Sequence, residues 1–266
     1  AMKNKPIFFS VIMSVYNDEK HLSESISSII NQTFKNIEFI IVDDASTDGT
    51  KKIIEKFSKK DKRIKGFFNK NNKGLTKNLN FGLTKTLGTW IVRQDSDDIS
   101  TKDRLQKAYN LIREKEFDFY STPVKLIGSE GSKVIPKYMT RNFFNVKFLD
   151  FKNCLIHGTL IIKNSIIQEI KYDESYKYSQ DFKLYHDLLN RDYKIYYDKH
   201  SFTYLLRIHE NQTSVIKKHE QFEYFNSILV SNGLKKQNLK FWNKLINQIF
   251  ELKIIINDLI RRSLRS

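Results

Sequence analysis

Three carboxylates stand within four positions of this sequence, at Asp95, Asp97 and Asp98, directly after a short apolar run. Like charges placed this close together cost stability unless a positive charge lies among them. Hard divalent cations such as Mg²⁺ and Mn²⁺ take oxygen ligands and are often shared with substrate phosphates. A solvated acidic turn is the alternative, but the buried strand predicted before the carboxylates favours a site for a metal ion and a phosphate.

The elements that must position these carboxylates follow from the hydrophobic periodicity. Apolar runs rich in β-branched residues predict strands, and the first three runs are each followed by apolar residues at helical spacing. Alternation of strand and helix predicts an α/β protein with a mostly parallel central sheet and helices on both faces. The predicted strands are residues 8–16, 37–42, 64–68 and a fourth beginning at Trp90.

Local signals predict where the helices begin and end. Asn17 and Asp18 are predicted to cap the first helix and Asp48 the second, because short polar side chains accept hydrogen bonds from the first backbone amides of a helix. The third helix is predicted to end at Gly88 and to carry leucines on one face. These leucines are Leu75, Leu79, Leu83 and Leu87.

Polar residues follow three of the four predicted strands. Tyr16 and Asn17 follow the first, Asp43 and Asp44 the second, and residues 95–98 the fourth. In open parallel sheets, ligands bind beyond the carboxyl ends of the strands. The three segments therefore predict a single ligand-binding crevice.

Composition limits the partners. Lys and Arg number 46 against 30 Asp and Glu, and the formal net charge of +16 predicts an anionic partner such as a nucleic acid, a phospholipid surface or a phosphorylated small molecule. The single cysteine, Cys154, excludes an internal disulfide. The sequence shows no signal peptide and no long uncharged apolar run, so we expect a cytoplasmic protein, with peripheral attachment to the inner face of the cell membrane as an alternative.

Several short motifs stand in a fixed order along the chain. The first part contains SVIMSVYN (10–17), QTF (32–34), IVDDASTDGT (41–50), NKGL (72–75) and DSDD (95–98), and the second part contains HGT (157–159), QDFKL (180–184), LRIH (206–209) and Ser214. In these motifs the chain resembles the family 2 glycosyltransferases, which are inverting enzymes of the GT-A fold with nucleotide-sugar donors. The match is dense over roughly the first 110 residues and thinner afterwards.

The resemblance implies that the donor is a UDP-sugar. Asp44 is the preferred acceptor for the uracil N–H, whereas Asp43 is either a base contact or a helix cap. Lys73 and Lys77 are expected near ribose or diphosphate oxygens, although the family usually has arginine near Lys77, and lysine lacks the bidentate geometry of arginine. The full set expected to bind the nucleotide-sugar is Val15, Tyr16, Asn17, Asp43, Asp44, Lys73, Lys77, Asp95, Ser96 and Asp97.

The resemblance also implies a cofactor, Mn²⁺ or Mg²⁺. Its expected ligands are Asp97, Asp98 and His209, and the motif does not decide which of the two aspartates binds the ion. Arg207 and His209 are expected on one side of a strand. The cation would neutralise the departing diphosphate.

Transfer to an acceptor hydroxyl needs a base, because a hydroxyl is a poor nucleophile at neutral pH. Asp181 is the candidate for this base. The alternative is that Asp181 has only a structural role, as a negatively charged residue at a helix N-terminus that interacts favourably with the helix dipole. The family pattern at this point is Glu-Asp, and Gln180 here removes a neighbouring negative charge. His157 and Gln180 are expected on the acceptor side. The acceptor is expected to be a saccharide or a lipid-linked saccharide.

The chain is predicted to divide into a GT-A catalytic domain (1–220) and a C-terminal amphipathic helical extension (221–266). Within the catalytic domain, residues 1–115 form the nucleotide-sugar half and residues 116–220 the acceptor half, where mixed antiparallel strands, one at 117–122, are expected beside the main sheet. Residues 235–266 carry eight Lys and Arg against two acidic residues. This extension is predicted to meet an anionic membrane, a second copy of the chain or its own domain.

Two other functions compete with the glycosyltransferase. A metal-dependent nucleotidyltransferase has a similar sheet and paired carboxylates, and a non-catalytic nucleic-acid-binding protein would explain the charge of +16. Neither predicts Gln180-Asp181 or Arg207-x-His209. The strongest basic run, residues 51–73, is typical of a solvated helix face and loop, so no nucleic-acid partner is expected.

Overall fold

The computed structural model describes residues 6–128, 134–135, 153, 155–209 and 217–232. The strands are β1 (Phe9–Val15), β2 (Ile37–Asp43), β3 (Ile64–Phe68), β4 (Trp90–Arg93), β5 (Ile99–Ser100), β6 (Phe119–Ser121), β7 (Val124–Gly128), β8 (Val134–Ile135), β9 (Ile161–Lys163), β10 (Ile195–Tyr197) and β11 (Tyr204–Ile208). The helices are α1 (Leu22–Ile30), α2 (Thr50–Lys60), α3 (Leu75–Leu83), α4 (Arg104–Glu114), α5 (Asn164–Ile170), α6 (Gln180–Asn190) and α7 (Lys218–Ser231). A short 3₁₀ helix spans His157–Thr159.

The main sheet has seven strands in the order β10-β6-β9-β4-β1-β2-β3. β1 pairs in parallel with β2 and β4, and β2 pairs in parallel with β3, whereas β9 is antiparallel to both of its neighbours. In this register Val15 lies opposite Asp43, so the polar segments after β1 and β2 start at the same level. The predicted mostly parallel sheet is confirmed.

Apolar side chains pack on both faces of this sheet. Successive residues of β1 point to opposite faces, so Val11 and Met13 pack with α1, α2 and α4, while Ile12 packs with α3, α5 and α6. Helices therefore cover both faces, as predicted. The buried faces of α1 and α3 are formed by the apolar residues that periodicity indicated, including Leu22, Ile26, Leu79 and Leu83.

Three local predictions were wrong. α1 begins at Leu22 without a side-chain cap, because Asn17 and Asp18 bond to other loops. α3 ends at Leu83, and Leu87 lies beyond it with 68% of its surface exposed. β6, expected beside the main sheet, lies within it between β9 and β10. By contrast, Asp48 accepts a hydrogen bond from the Thr50 amide at the start of α2.

A second sheet, in the order β5-β11-β7-β8, stands next to the carboxylates. β11 pairs antiparallel with β5, the strand that directly follows Asp98, and this pairing brings the end of β11 back to the acidic loop. Within the described residues, no helix is long and apolar enough to cross a membrane. The start of the predicted C-terminal extension belongs to α7, whose Ile228 and Leu229 are buried against the α6 side of the core. The basic segment 235–266 lies outside the described residues.

Candidate active site

Hydrogen bonds join the loops that follow β1 and β2. Asn17 has a left-handed backbone (φ 50°), which asparagine tolerates better than most residues. Its amide donates to the Ser46 hydroxyl (2.9 Å), and the Thr47 amide donates to Asn17 Oδ1 (2.8 Å). The Asp44 amide donates to the Val15 carbonyl (2.8 Å). The predicted donor-side residues Val15, Asn17 and Asp44 are thus brought together.

The Asp44 carboxylate holds the loop before α3. Its Oδ1 accepts hydrogen bonds from the Lys73 amide (2.7 Å) and from Asn69 Nδ2 (3.0 Å), and its Oδ2 accepts one from the Gly74 amide (2.9 Å). Gly74 has φ +88°, a conformation that L side chains rarely adopt. Asp44 is only 3% exposed. The base contact predicted for Asp44 would therefore be an addition to three internal bonds.

The other predicted donor-side residues differ in exposure. Asp43 is buried, and its Oδ1 accepts a hydrogen bond from the Ser46 amide (3.3 Å). Tyr16 at the same junction is 51% exposed, and an exposed aromatic ring suits stacking on a nucleobase. Lys73 and Lys77 are both exposed. Two exposed cationic side chains thus stand on the loop that Asp44 holds and on the first turn of α3.

The loop of residues 95–98 is supported from the second sheet. The Asp95 amide donates to the hydroxyl of Tyr204 over 3.0 Å. Tyr204 is fully buried, and burial followed by the charge of Asp98 raises the pKa of its hydroxyl well above the usual value. A Cβ at Gly158 would overlap this hydroxyl, so glycine permits the close approach.

Asp97 and Asp98 have different surroundings. Asp97 Oδ2 lies 2.9 Å from His209 Nε2, and the Asp97 and His209 side chains are 20% and 25% exposed. Asp98 is 1% exposed, and its Oδ1 accepts the Arg207 amide at 2.8 Å. Burial, followed by the charges of Asp97 and Asp95, raises the pKa of Asp98 well above its usual value. Asp97 is therefore accessible to a ligand, whereas Asp98 fastens β11 to the loop.

Two buried arginines lie beside the acidic loop, each 2% exposed. Arg93 forms an ion pair with Asp95. Arg104 lies over the Tyr204 ring, 4.7 Å from its centroid, and burial lowers its pKa to about 10, so it remains charged at neutral pH. Its hydrogen-bond acceptors are all uncharged: Gln94 Oε1, Ser100 Oγ and the carbonyls of Arg93 and Gly158.

Asp181 lies in the first turn of α6, and Asn153 Nδ2 donates to its Oδ2 over 2.8 Å. Burial raises the pKa of Asp181, the Asn153 bond lowers it, and the charge of Asp95 raises it further. Gln180, the first residue of α6, is 7% exposed.

His157 lies on the 3₁₀ helix that follows Ile156. Its Nε2 is 2.8 Å from the Tyr172 hydroxyl. Burial and the nearby Arg93 guanidinium lower the pKa of His157 well below the usual value, so its imidazole is neutral. A neutral imidazole can donate or accept hydrogen bonds. His157 could therefore hydrogen-bond to the sugar acceptor but would bring no positive charge to it.

The pair of Asp97 and His209 fits a divalent cation. A carboxylate oxygen and an imidazole nitrogen both suit Mn²⁺, and two ligands at right angles around an ion with bonds of about 2.1 Å lie about 3 Å apart. The observed separation is 2.9 Å, which is that of a direct hydrogen bond between the two side chains, and a cation would take the place of this bond. Among the residues that the structure describes, no three His, Cys, Asp or Glu side chains group to hold a metal. A cation at this pair would complete its shell with phosphate oxygens and water.

Several residues of this site were missed by the sequence analysis. Arg104 and Tyr204 lack any local signal, because their partners lie far away in the chain. Asn153 falls in the least regular part of the sequence. Asp18 was assigned to a helix cap, yet its Oδ2 accepts the Ser96 hydroxyl at 2.7 Å. His21 shows no ligand spacing, although its ring stacks on that of His209.

Solved structures share this fold. Staphylococcus aureus TarS 1-349, in complex with UDP-GlcNAc, aligns with a TM-score of 0.69 and 23% identity over 87% of this chain and 69% of that chain. The mannosyltransferase PcManGT from Pyrobaculum calidifontis, in complex with GDP-Man and Mn²⁺, aligns with a TM-score of 0.64 and 16% identity over 88% of this chain and 67% of that chain. At these identities the likeness shows the fold, which is that of the GT-A glycosyltransferases.

Sequence comparison gives the family. The family model for glycosyl transferase family 2 matches residues 10–188. A glycosyltransferase of Haemophilus influenzae is 31% identical over 284 residues, covering 100% of this chain and 85% of the relative. The O-antigen biosynthesis glycosyltransferase WbnJ of Escherichia coli is 33% identical over 208 residues, covering 77% of this chain and 81% of the relative. The chain belongs to glycosyl transferase family 2, which confirms the resemblance drawn from its motifs.

Proposed function

We propose that this glycosyltransferase moves a sugar from a UDP-sugar to an acceptor hydroxyl with inversion, and that it needs Mn²⁺ or Mg²⁺. The observation that carries the proposal is the pair of Asp97 and His209, whose Oδ2 and Nε2 atoms lie 2.9 Å apart where β11 meets the acidic loop. A carboxylate and an imidazole at this spacing suit a cation that is shared with a diphosphate. Asp98 is assigned a supporting role, because it is buried and bonded to β11.

The donor side supports a uridine nucleotide. Asp43 ends β2 and Asp44 follows it, and the half-exposed Tyr16 follows the paired strand β1. We propose that a base stacked on the Tyr16 ring lies next to this acidic segment. Lys73 and Lys77 are exposed and supply positive charge for the diphosphate. The S. aureus TarS structure contains UDP-GlcNAc, which is consistent with a UDP-linked donor here.

The proposed reaction is one displacement at the anomeric carbon. The Asp181 carboxylate accepts the proton of the acceptor hydroxyl as the hydroxyl oxygen attacks, and Asn153 orients the carboxylate through Oδ2. The raised pKa of Asp181 makes its carboxylate a stronger base than that of an ordinary aspartate. Asp97 and His209 would hold the cation, which would supply Lewis-acid stabilisation of the leaving diphosphate. Lys73 and Lys77 add charge on the same side.

The acceptor is proposed to be a saccharide or lipid-linked saccharide in cell-surface polysaccharide assembly. Support comes from the E. coli relative, whose name places it in O-antigen biosynthesis. The basic residues of 235–266 would hold the enzyme at the inner face of an anionic membrane. A variant that ends at residue 234 is then expected to stop floating with anionic vesicles; unchanged flotation would contradict the membrane assignment, and loss of a dimer in sedimentation would favour pairing instead.

The reaction is tested with a panel of UDP-sugars. Release of UDP should occur with one or few donors, cease in EDTA and return with Mn²⁺ or Mg²⁺. The anomeric configuration of the product, read by NMR, should be opposite to that of the donor. Turnover that persists in EDTA would remove the cation from the mechanism, and retained configuration would remove the single displacement. Turnover of other nucleotide-sugars alone would overturn the UDP assignment.

A further inference from the structure

The ring of His209 lies against a second histidine. The His21 and His209 ring centroids are 5.1 Å apart, and the ring planes are inclined by only 28°. His21 belongs to the loop between β1 and α1, far from His209 in sequence. This contact therefore joins the first loop of the main sheet to the end of β11.

His21 is itself held in place. Its Nδ1 lies 2.9 Å from Asp18 Oδ1, and because a carboxylate can only accept, Nδ1 carries the proton. The His21 and Asp18 side chains are 12% and 14% exposed, so the pair is largely shielded from water. The Asp18 amide donates to the Thr50 hydroxyl over 3.0 Å, which ties its backbone to α2.

Asp18 also reaches the acidic loop. Its Oδ2 accepts the hydroxyl of Ser96 at 2.7 Å, and Ser96 is the residue between Asp95 and Asp97. One carboxylate thus contacts the loop that carries Asp97 and the ring that packs on His209. Both members of the proposed cation pair are positioned from the same point.

His209 needs such support because of where it stands. β11 ends at Ile208, so no described strand pairing fixes the backbone of His209. The orientation of a ligating imidazole depends on groups outside the first coordination shell, and substitution of such groups usually weakens metal binding. The flat face of His21 limits the rotation of the His209 ring.

We propose that Asp18 and His21 are positioning residues for the cation site, with His21 aligning the His209 imidazole through ring contact and Asp18 aligning the loop of Asp97 through Ser96. The inference rests on the proposed function, because it assumes that Asp97 and His209 bind the cation. It assigns no direct contact between His21 and the cation. The contact between the two ring faces is sufficient for the effect on His209, and the Nδ1 bond to Asp18 adds to it.

The test measures Mn²⁺ binding and not turnover. Mn²⁺ is titrated into the full chain saturated with UDP, and free Mn²⁺ is read from its EPR signal. His21→Ala is expected to bind Mn²⁺ about 10–100-fold more weakly than the wild type, and His21→Phe, which keeps a flat ring, within about threefold of it. His219→Ala is the control, because His219 is 83% exposed, and it should bind as the wild type does.

Each outcome decides the inference. Unchanged affinity of His21→Ala would overturn it, provided that the wild type binds Mn²⁺. A loss as large in His21→Phe as in His21→Ala would also overturn it, since the nitrogen atoms would then be needed. Absence of Mn²⁺ binding by the wild type would instead refute the cation site of the proposed function. Thermal unfolding without metal serves as the folding check: the same unfolding temperature in the variants and the wild type shows that a lost affinity belongs to the site.

Discussion

The carboxylates that follow β2 and those that follow β4 have different kinds of partner. Asp44, after β2, accepts three hydrogen bonds from uncharged donors and contacts no cationic side chain in the described bonds. The loop of residues 95–98, after β4, has Arg93 paired with Asp95 and His209 next to Asp97. The Asp44 carboxylate is bonded within the fold, whereas the second segment keeps a negative charge at the partly exposed Asp97. We therefore expect the segment after β2 to act mainly as a junction between loops and the loop after β4 to hold the proposed cation.

The largest effect on sugar transfer is expected at Asp181, which lies outside both segments. Its effect gives a reference against which substitutions in the two segments can be compared. Asp181→Asn removes the proposed base but keeps the size of the side chain, so sugar transfer should fall by about 10²–10⁴-fold. UDP affinity, measured by calorimetry, should stay within a few-fold of the wild type. Transfer at the wild-type rate would place the base elsewhere.

The buried charge beside the second segment gives the next effect. Arg104→Met leaves four acceptors without their donor and should lower the free energy of unfolding by about 3–5 kcal/mol, as measured in urea. Arg113→Met is the matched control, because Arg113 is an exposed residue on the same helix, and it should change stability by less than about 0.5 kcal/mol. Equal, small effects of the two substitutions would show that Arg104 does not support the acidic loop.

The two segments can be compared directly by the same substitution. Asp44→Asn replaces an acceptor of three bonds with a group that has a single acceptor oxygen, and it should cost about 2 kcal/mol of metal-free stability. Asp97→Asn removes one of three crowded negative charges and should change stability by less than about 0.5 kcal/mol. Similar losses in both variants would erase the distinction between junction and cation site.

The smallest effect concerns pH. Hydrogen bonds from the Arg63 guanidinium lower the pKa of Asp61, which lies outside both segments. A lowered pKa contributes stability that is complete above the unfolded value of about 3.9 and is lost as pH falls through the folded value. Asp61→Asn should therefore cost up to about 1 kcal/mol at pH 7 and less at pH 2. An equal cost at both pH values would contradict this account of Asp61.

Hydrophobic periodicity and the order of the motifs predicted the fold of the first half of the chain, where each strand and helix is signalled by its own residues. β1, β2 and β3 and the helices between them are encoded by runs of apolar residues, and the convergence of the loops after β1, β2 and β4 follows from parallel pairing. For the candidate site, the motifs pointed to Asp97, His209 and Asp181, and their roles stay predictions. Their geometry was beyond the sequence.

What could not be predicted depends on contacts between distant residues. Arg104 lies on a helix face next to Leu105 and is buried because Gly158 and Gln94 accept its hydrogen bonds. No spacing rule links His21 to His209, which lie on different loops. Aspartate is a residue type that often caps helices. Asp18 instead accepts a hydrogen bond from Ser96, which the fold brings close to it. Polar contacts of this kind are a property of the assembled fold.

The central claim is that the loop after β4, and not the segment after β2, holds the cation. The most direct measurement is the anomalous scattering of Mn²⁺ in crystals grown with UDP and MnCl₂. The account predicts one strong peak at bonding distance, about 2–2.5 Å, from the Asp97 carboxylate and His209 Nε2. A peak bound to Asp43 or Asp44, or no peak in crystals that contain ordered UDP, would contradict it.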